Sequence, residues 1–175
     1  MQKWVAFLRG INVGGHRKVP MAMLRQAVGD DLGASDVRSY IASGNLVFEA
    51  EGTSDSVSSA LTALIKRHFG FDVPVIVFAE DEMRTILRTC PFPLDAGKAV
   101  HGFLCFGPPR IDDNQVATLK TPSEDLQVVG NTVWIHAPDG IGRSKLVEKL
   151  TFGVETTARN LNTLTKMVAM LDAAG

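Results

Sequence analysis

The sequence lacks several features that would place it in a specialised class of protein. It has two cysteines, Cys90 and Cys105, which form neither a paired framework nor a Cys-x-x-Cys motif, so a disulfide scaffold is excluded and reduced thiols are expected. No apolar run approaches the ~18 residues of a membrane span, and the N-terminus has no signal-peptide pattern. We therefore expect a cytoplasmic protein without a membrane partner.

The sequence also has little net charge and few aromatic residues. The formal net charge is −1, which excludes coating of nucleic acid or membranes by bulk charge but leaves a local basic patch open. Aromatic residues make up 7% of the chain, and no strand has the aromatic-rich signature of RNA-binding plaits. At 175 residues with 45% hydrophobic content, the chain can bury a core as one large domain or two small ones.

The hydrophobic pattern of the first half predicts the order β-α-β-β-α-β. A helix is expected at Met21–Leu32, and a second one follows a cap at Thr53 or Ser54. The expected strands are Trp4–Leu8, Val37–Ala42, Leu46–Ala50 and Val73–Phe78. This order is that of the ferredoxin-like plait, in which two helices pack on one face of an antiparallel sheet.

The pattern restarts after a short helix at Glu80–Arg88 and a proline-rich break at Cys90–Leu94. Strands are expected at Val100–Phe106, Leu126–Val129 and Thr132–Ala137, and helices at Asp112–Leu119, Ser144–Leu150 and Thr157–Leu171. This order is β-α-β-β-α-α, in which the fourth strand of the plait is replaced or missing. The predicted fold is therefore α+β, with plait subdomains at 1–79 and 100–175 joined by residues 80–99.

A glycine-rich loop between the first strand and the first helix is the leading candidate for a polar site. Its glycines are Gly10, Gly14 and Gly15, and its cations are Arg9, His16, Arg17 and Lys18. Loop N–H groups that face a helix N-terminus favour an anion. The loop matches neither the phosphate-binding P-loop nor the dinucleotide fingerprint, so no cofactor is predicted. Alternatively, the glycines serve the backbone alone.

Three further segments carry polar side chains. The last predicted helix has Arg159, Asn162, Thr163 and Lys166 on one face, where they would meet a carboxylate or phosphate, or simply solvent. Arg143 and Lys145 flank Ser144 at the start of another helix, where an anion would balance them; the alternative is a glycine turn with exposed cations. The turn Ser43-Gly44-Asn45 is the third polar segment, and the alternative is that Asn45 serves only the backbone of the turn.

Three segments occur together in a characteristic order and spacing: Leu8–Gly15 (LRGINVGG), Ser39–Phe48 (SYIASGNLVF) and Thr157–Thr163 (TARNLNT). As a set they resemble the uncharacterised bacterial family known as domain of unknown function 1697. The chain departs from that pattern at Leu161, where an aromatic residue is usual, and at Ala42, where a longer polar residue is common. The resemblance implies two plait subdomains and no established activity.

The resemblance also implies that the three motifs act as one unit. We expect a polar cleft between the subdomains, formed by the convergence of Arg9, Asn12, Ser43, Asn45, Arg159 and Asn162. The leading hypothesis is binding of a small anionic ligand, either a nucleotide or a phosphorylated metabolite, with a nucleic acid less favoured. The residues predicted to bind it are Arg9, Asn12, Gly14, Gly15, Ser43, Asn45, Arg143, Lys145, Arg159, Asn162 and Thr163.

Two other functions stay open at this point. In the first, the chain is a structural or interaction module whose Asn, Ser and Thr side chains tie loops together. In the second, it is an enzyme in which Arg9 or Arg159 stabilises developing negative charge and His16 acts as acid or base.

Overall fold

A computed structural model describes residues 1–173. The first half contains β1 (Gln2–Leu8), α1 (Met21–Leu32), β2 (Ser35–Tyr40), β3 (Asn45–Ala50), α2 (Ser54–Phe69), β4 (Val75–Ala79) and α3 (Glu80–Arg88). Its four strands form one antiparallel sheet in the order β2-β3-β1-β4. Thr53 caps α2 through a reciprocal pair of hydrogen bonds with Ser56, and Gly33 ends α1 in the left-handed conformation, as the sequence predicts.

The second half repeats the topology. After a 3-10 helix (Leu94–Ala99) come β5 (Val100–Cys105), α4 (Asp113–Leu119), β6 (Asp125–Val129), β7 (Thr132–His136), a 3-10 turn (Ile141–Arg143), α5 (Lys145–Lys149), β8 (Thr156–Asn160) and α6 (Leu161–Asp172). The antiparallel sheet has the order β6-β7-β5-β8, which matches that of the first half strand for strand. The predicted α+β class with two ferredoxin-like halves is confirmed.

The prediction of one helix from Thr157 to Leu171 is wrong in its first four residues. Residues 156–160 form β8, which pairs with β5 from Cys105↔Thr156 to His101↔Asn160. The β-branched Thr156 and Thr157 favour a strand, and the Asn160 side chain then accepts a hydrogen bond of 2.9 Å from the Thr163 N–H and starts α6. The second half is therefore β-α-β-β-α-β followed by a helix, and the fourth strand is present.

Two compact units divide the chain. The first contains residues 1–85 together with the chain from Met167 onward, and the second contains residues 86–166, so α6 begins in one unit and ends in the other. In the first unit, α1 and α2 cover one face of the sheet with an apolar core that includes Leu24, Leu61, Ile65 and Phe48. The opposite sheet face is also buried: Val5, Phe7 and Val47 are each 1% exposed or less.

The second unit also buries both faces of its sheet. Phe103, Val133 and Ile135 pack with Leu146 and Leu150 on the side of α4 and α5. On the opposite face, Gly102 leaves room for Leu164 of α6 and for Trp134, whose atoms lie 3.0 and 3.1 Å from the position that a Cβ at residue 102 would occupy. Within the described residues, no helix is both long and apolar enough to cross a membrane.

Candidate functional site

Asn12 fixes the loop that follows β1. Its Nδ2 donates to the carbonyl oxygens of Val19 (3.0 Å) and Ala42 (2.7 Å), and its Oδ1 accepts from the Val19 N–H (2.8 Å). The backbone of Asn12 is left-handed, with φ of 55°, a conformation that Asn tolerates better than most residues. Because both amide N–H bonds are in use, Asn12 holds the loop in place and has no donor left for a ligand.

The turn between β2 and β3 lies against the same loop. The Leu8 N–H donates to the Gly44 carbonyl oxygen at 2.8 Å. A Cβ on Gly44 would lie 2.7 Å from the Cβ of Leu8, and its φ is 93°, so glycine is required there. Asn45 is fully buried and donates to the Tyr40 carbonyl oxygen (2.8 Å) and to Ser43 Oγ (3.0 Å). The Ser43–Asn45 motif therefore joins the turn to the end of β1.

An open hollow of about 480 Å³ lies where this loop meets the start of α1. Its walls are Asn12, Gly15, Lys18, Val19, Pro20, Met21 and Ala42, all in the first unit. The helix begins after Pro20 with no side-chain cap and with no acidic residue in its first turn. Such a helix end has N–H groups and a positive dipole available to an anion.

The surroundings of this hollow are basic. The first acidic residue of the chain is Asp30, and residues 37–48 contain none. Arg9, Arg17 and Lys18 are exposed, and the Lys18 ammonium has no hydrogen bond or ion pair with any residue from 1 to 173. A smaller hollow of about 370 Å³ at the opposite end of the same sheet differs in that its lining includes three carboxylates, Glu49, Glu80 and Asp81, beside Lys3 and Met1.

Two exposed aliphatic residues are chain neighbours of Asn12 and Ala42, which line the hollow. Val13 is 65% exposed and Ile41 is 52% exposed. Ile41 also has φ of 50°, which is costly for a β-branched residue. An exposed apolar side chain on a strained backbone is unfavourable in two ways, and strain of this kind clusters at functional sites.

In the second unit, the loop that contains Arg143, Ser144 and Lys145 is held by the buried carboxylate of Glu124, which is hydrogen-bonded to Ser144. Arg143 and Lys145 are both exposed, whereas Ser144 and Glu124 are buried. Ser144 accepts a hydrogen bond from the Val147 N–H (3.2 Å) and so caps α5. Burial raises the pKa of Glu124, but hydrogen bonds from Ser144 and Thr121 lower it by more, so the pKa lies below its ordinary value.

Arg159 lies on β8 rather than on a helix. It is 7% exposed, and its Nη1 donates to Thr157 Oγ1 (2.8 Å) and to the Ala158 carbonyl oxygen (2.9 Å). Burial lowers the pKa of Arg159 to about 10, so it is still a cation at neutral pH.

The polar stripe predicted for the last helix does not form. Thr163 is buried, whereas Asn162 is exposed and lies beside Gly97, its Oδ1 3.1 Å from the position that a Cβ there would take. The stripe requires Arg159 to be in the same helix as Asn162 and Thr163. Arg159 belongs to β8 instead, and the helix begins only at Leu161.

The predicted residues thus fall into two sets. The first unit brings together one set on two adjoining loops, which comprises Arg9, Asn12, Gly14, Gly15, Ser43 and Asn45. The second unit holds Arg143 and Lys145 in one loop and Arg159, Asn162 and Thr163 around the start of α6. Convergence of the two sets stays a prediction. Sequence reasoning missed Met21 and Ala42 as walls of the hollow, although Pro20 at a helix start without a capping side chain was a usable signal.

Comparison with known proteins gives a family and a fold. The family model described as "Protein of unknown function (DUF1697)" matches residues 1–134. The structure is similar to that of the conserved bacterial protein SP0830 from Streptococcus pneumoniae, with a TM-score of 0.69 and 24% sequence identity over 97% of this chain and 98% of that one. Likeness at this level of identity shows the fold alone. No curated protein matches the sequence.

Proposed function

Since the chain belongs to DUF1697, a family of proteins of unknown function, we propose a function for it from its own residues. The first unit binds a small ligand through an anionic group, such as a phosphate, in the hollow between the β1–α1 loop and the start of α1. One observation carries this proposal. The hollow is bordered by Lys18, which has no partner within residues 1–173, and no acidic residue occurs before Asp30.

The start of α1 supports the same proposal. Elsewhere, Thr53, Asp112 and Ser144 cap α2, α4 and α5 with their side chains. In contrast, α1 follows a cluster of cations and a proline that supplies no cap. An anion at this position would accept hydrogen bonds from first-turn N–H groups and would be favoured by the helix dipole.

A small anion is favoured over RNA because of the buried sheets. Plait domains that bind RNA stack bases on aromatic residues exposed on the sheet. Here Phe7 of the first sheet and Trp134 of the second are fully buried. The basic loop offers both positive charge and an accessible concave surface.

Thermal unfolding of the full chain with added anions tests the proposal. Inorganic phosphate, pyrophosphate, adenosine monophosphate, ribose 5-phosphate and citrate would be compared at low salt, since a ligand that binds the native state raises the midpoint by mass action. We expect a concentration-dependent shift with at least one phosphate compound. Lys18→Ala should weaken that binding about tenfold, because it removes a charge-assisted hydrogen bond.

Lys120→Ala is the matched control, because Lys120 is an exposed lysine of the second unit. It should leave the shift unchanged. The proposal fails if no anion raises the midpoint, or if the two lysine variants behave alike.

A second candidate function is an interaction module without a ligand. One observation favours it: the side-chain amides of Asn12 and Asn45 donate hydrogen bonds to main-chain carbonyl oxygens of the first unit, so they hold loops together. In that case no anion would raise the unfolding midpoint of the wild-type protein.

A further inference from the structure

Apart from positive charge, the side chains that line the hollow in front of α1 offer little to a polar ligand. Val19, Pro20, Met21 and Ala42 contribute apolar groups, and Gly15 has no side chain. The one amide on its wall, that of Asn12, has both N–H bonds committed to main-chain carbonyl oxygens. The Lys18 ammonium is therefore the side-chain donor that this wall holds available.

This composition discriminates between classes of phosphate compound. A sugar phosphate has no extended apolar surface to place against these groups, so its hydroxyl groups stay in water and gain nothing from the apolar wall. A flat heteroaromatic ring, in contrast, can cover Pro20 and Met21 with one face and keep its polar edge in water, because the hollow is open. The methionine thioether adapts its shape and contacts aromatic rings favourably.

We infer that the hollow selects nucleoside phosphates over sugar phosphates, with the base against Pro20 and Met21 and the phosphate beside Lys18. The volume of about 480 Å³ lies within the range of sites that hold ligands of this size. This inference rests on the proposed function, since it assigns a ligand class to the same hollow.

Isothermal titration of the full chain with adenosine monophosphate, ribose 5-phosphate and pyrophosphate tests it. We expect adenosine monophosphate to bind about tenfold more tightly than ribose 5-phosphate, from the apolar area covered by the base. Met21→Ser should remove most of that preference and leave the affinity for pyrophosphate unchanged, because the phosphate position does not depend on Met21.

Met23→Ser is the matched control, because Met23 is 56% exposed on the same helix and does not line the hollow. It should keep the wild-type preference. Equal binding of adenosine monophosphate and ribose 5-phosphate, or an equal loss in both methionine variants, would overturn the inference and leave the proposed function standing. If none of the three compounds binds, the inference is overturned, and the proposed function is overturned with it when inorganic phosphate and citrate also leave the unfolding midpoint unchanged.

Discussion

Asn12 makes three hydrogen bonds through one side chain, and two of them reach a single partner, Val19. Asn12→Ala removes all three and places alanine at φ of 55°, so we expect the free energy of unfolding to fall by about 2–4 kcal/mol. Urea unfolding measures the change. Asn12→Gly separates the causes, because glycine accepts the backbone angle but cannot form the bonds, and its loss should be about 1 kcal/mol smaller. Equal losses would show that the backbone angle contributes nothing.

Ile41 combines a left-handed backbone with an exposed apolar side chain. Asparagine accepts both conditions, so we expect Ile41→Asn to raise the free energy of unfolding by about 1 kcal/mol. Val13→Asn is the control, since Val13 is similarly exposed without a positive φ and should change stability by less than about 0.5 kcal/mol. If Ile41→Asn instead lowers the free energy of unfolding, the contacts made by the covered half of the isoleucine side chain stabilise the fold by more than the backbone strain destabilises it.

At the scale of elements, the sequence predicts every strand and α-helix except β8. The dipeptide Gly130-Asn131 predicts a hairpin turn and Asp112 predicts a helix cap, and both are found in the structure. Each of these predictions depends only on residues that are close together in the sequence. In the segment Thr156–Asn160, Arg159 has helical spacing with Asn162, Thr163 and Lys166, and this polar spacing predicts that the helix extends back into the segment. Its pairing with β5 is a long-range contact, which periodicity alone does not reveal.

Asn160 marks the true start of α6, and its role can be tested. Asn160→Ala removes the side-chain oxygen that accepts the Thr163 N–H, so we expect a loss of about 1 kcal/mol in the free energy of unfolding. Asn160→Asp keeps an acceptor at that position and should retain most of the stability. If both variants lose the same amount, the oxygen is not the stabilising group.

The Glu124–Ser144 contact joins the start of β6 to the start of α5 and should make stability depend on pH. The pKa of Glu124 is lowered in the folded state from its ordinary value of 4.5. The contact therefore stabilises the fold above pH 4.5, and this stability is lost as the pH falls through the lower folded value. Urea unfolding between pH 6 and pH 3 should give a flatter decline for Glu124→Gln than for the wild-type protein. Parallel declines would contradict this assignment.

At the scale of the whole molecule, the sequence identifies the polar loops better than the roles of their residues. Asn12 and Asn45 stand out in the sequence, but only the fold shows that main-chain carbonyl groups use their amides. The hollow depends on Ala42, which lies thirty positions from Asn12 and meets it through one hydrogen bond. The sequence predicts Arg159 on a helix face, whereas the structure places it in β8, where its side chain is buried.

The end of the chain belongs to the first unit, and this membership can be tested with a fragment. Lys3 Nζ donates to the Leu171 carbonyl oxygen (3.0 Å), Arg84 pairs with Asp172 (2.6 Å), and Met167 and Leu171 are fully buried. A fragment of residues 1–85 lacks these partners, so we expect its melting temperature to be at least about 10 °C below that of the full chain. The full chain carrying Arg84→Ala is the control; it loses the ion pairs of this half-buried arginine with Asp172 and Glu80 but keeps the last helix, and it should melt within about 3 °C of the wild-type protein. A fragment that melts with the full chain would show that residues 1–85 fold independently of the last helix.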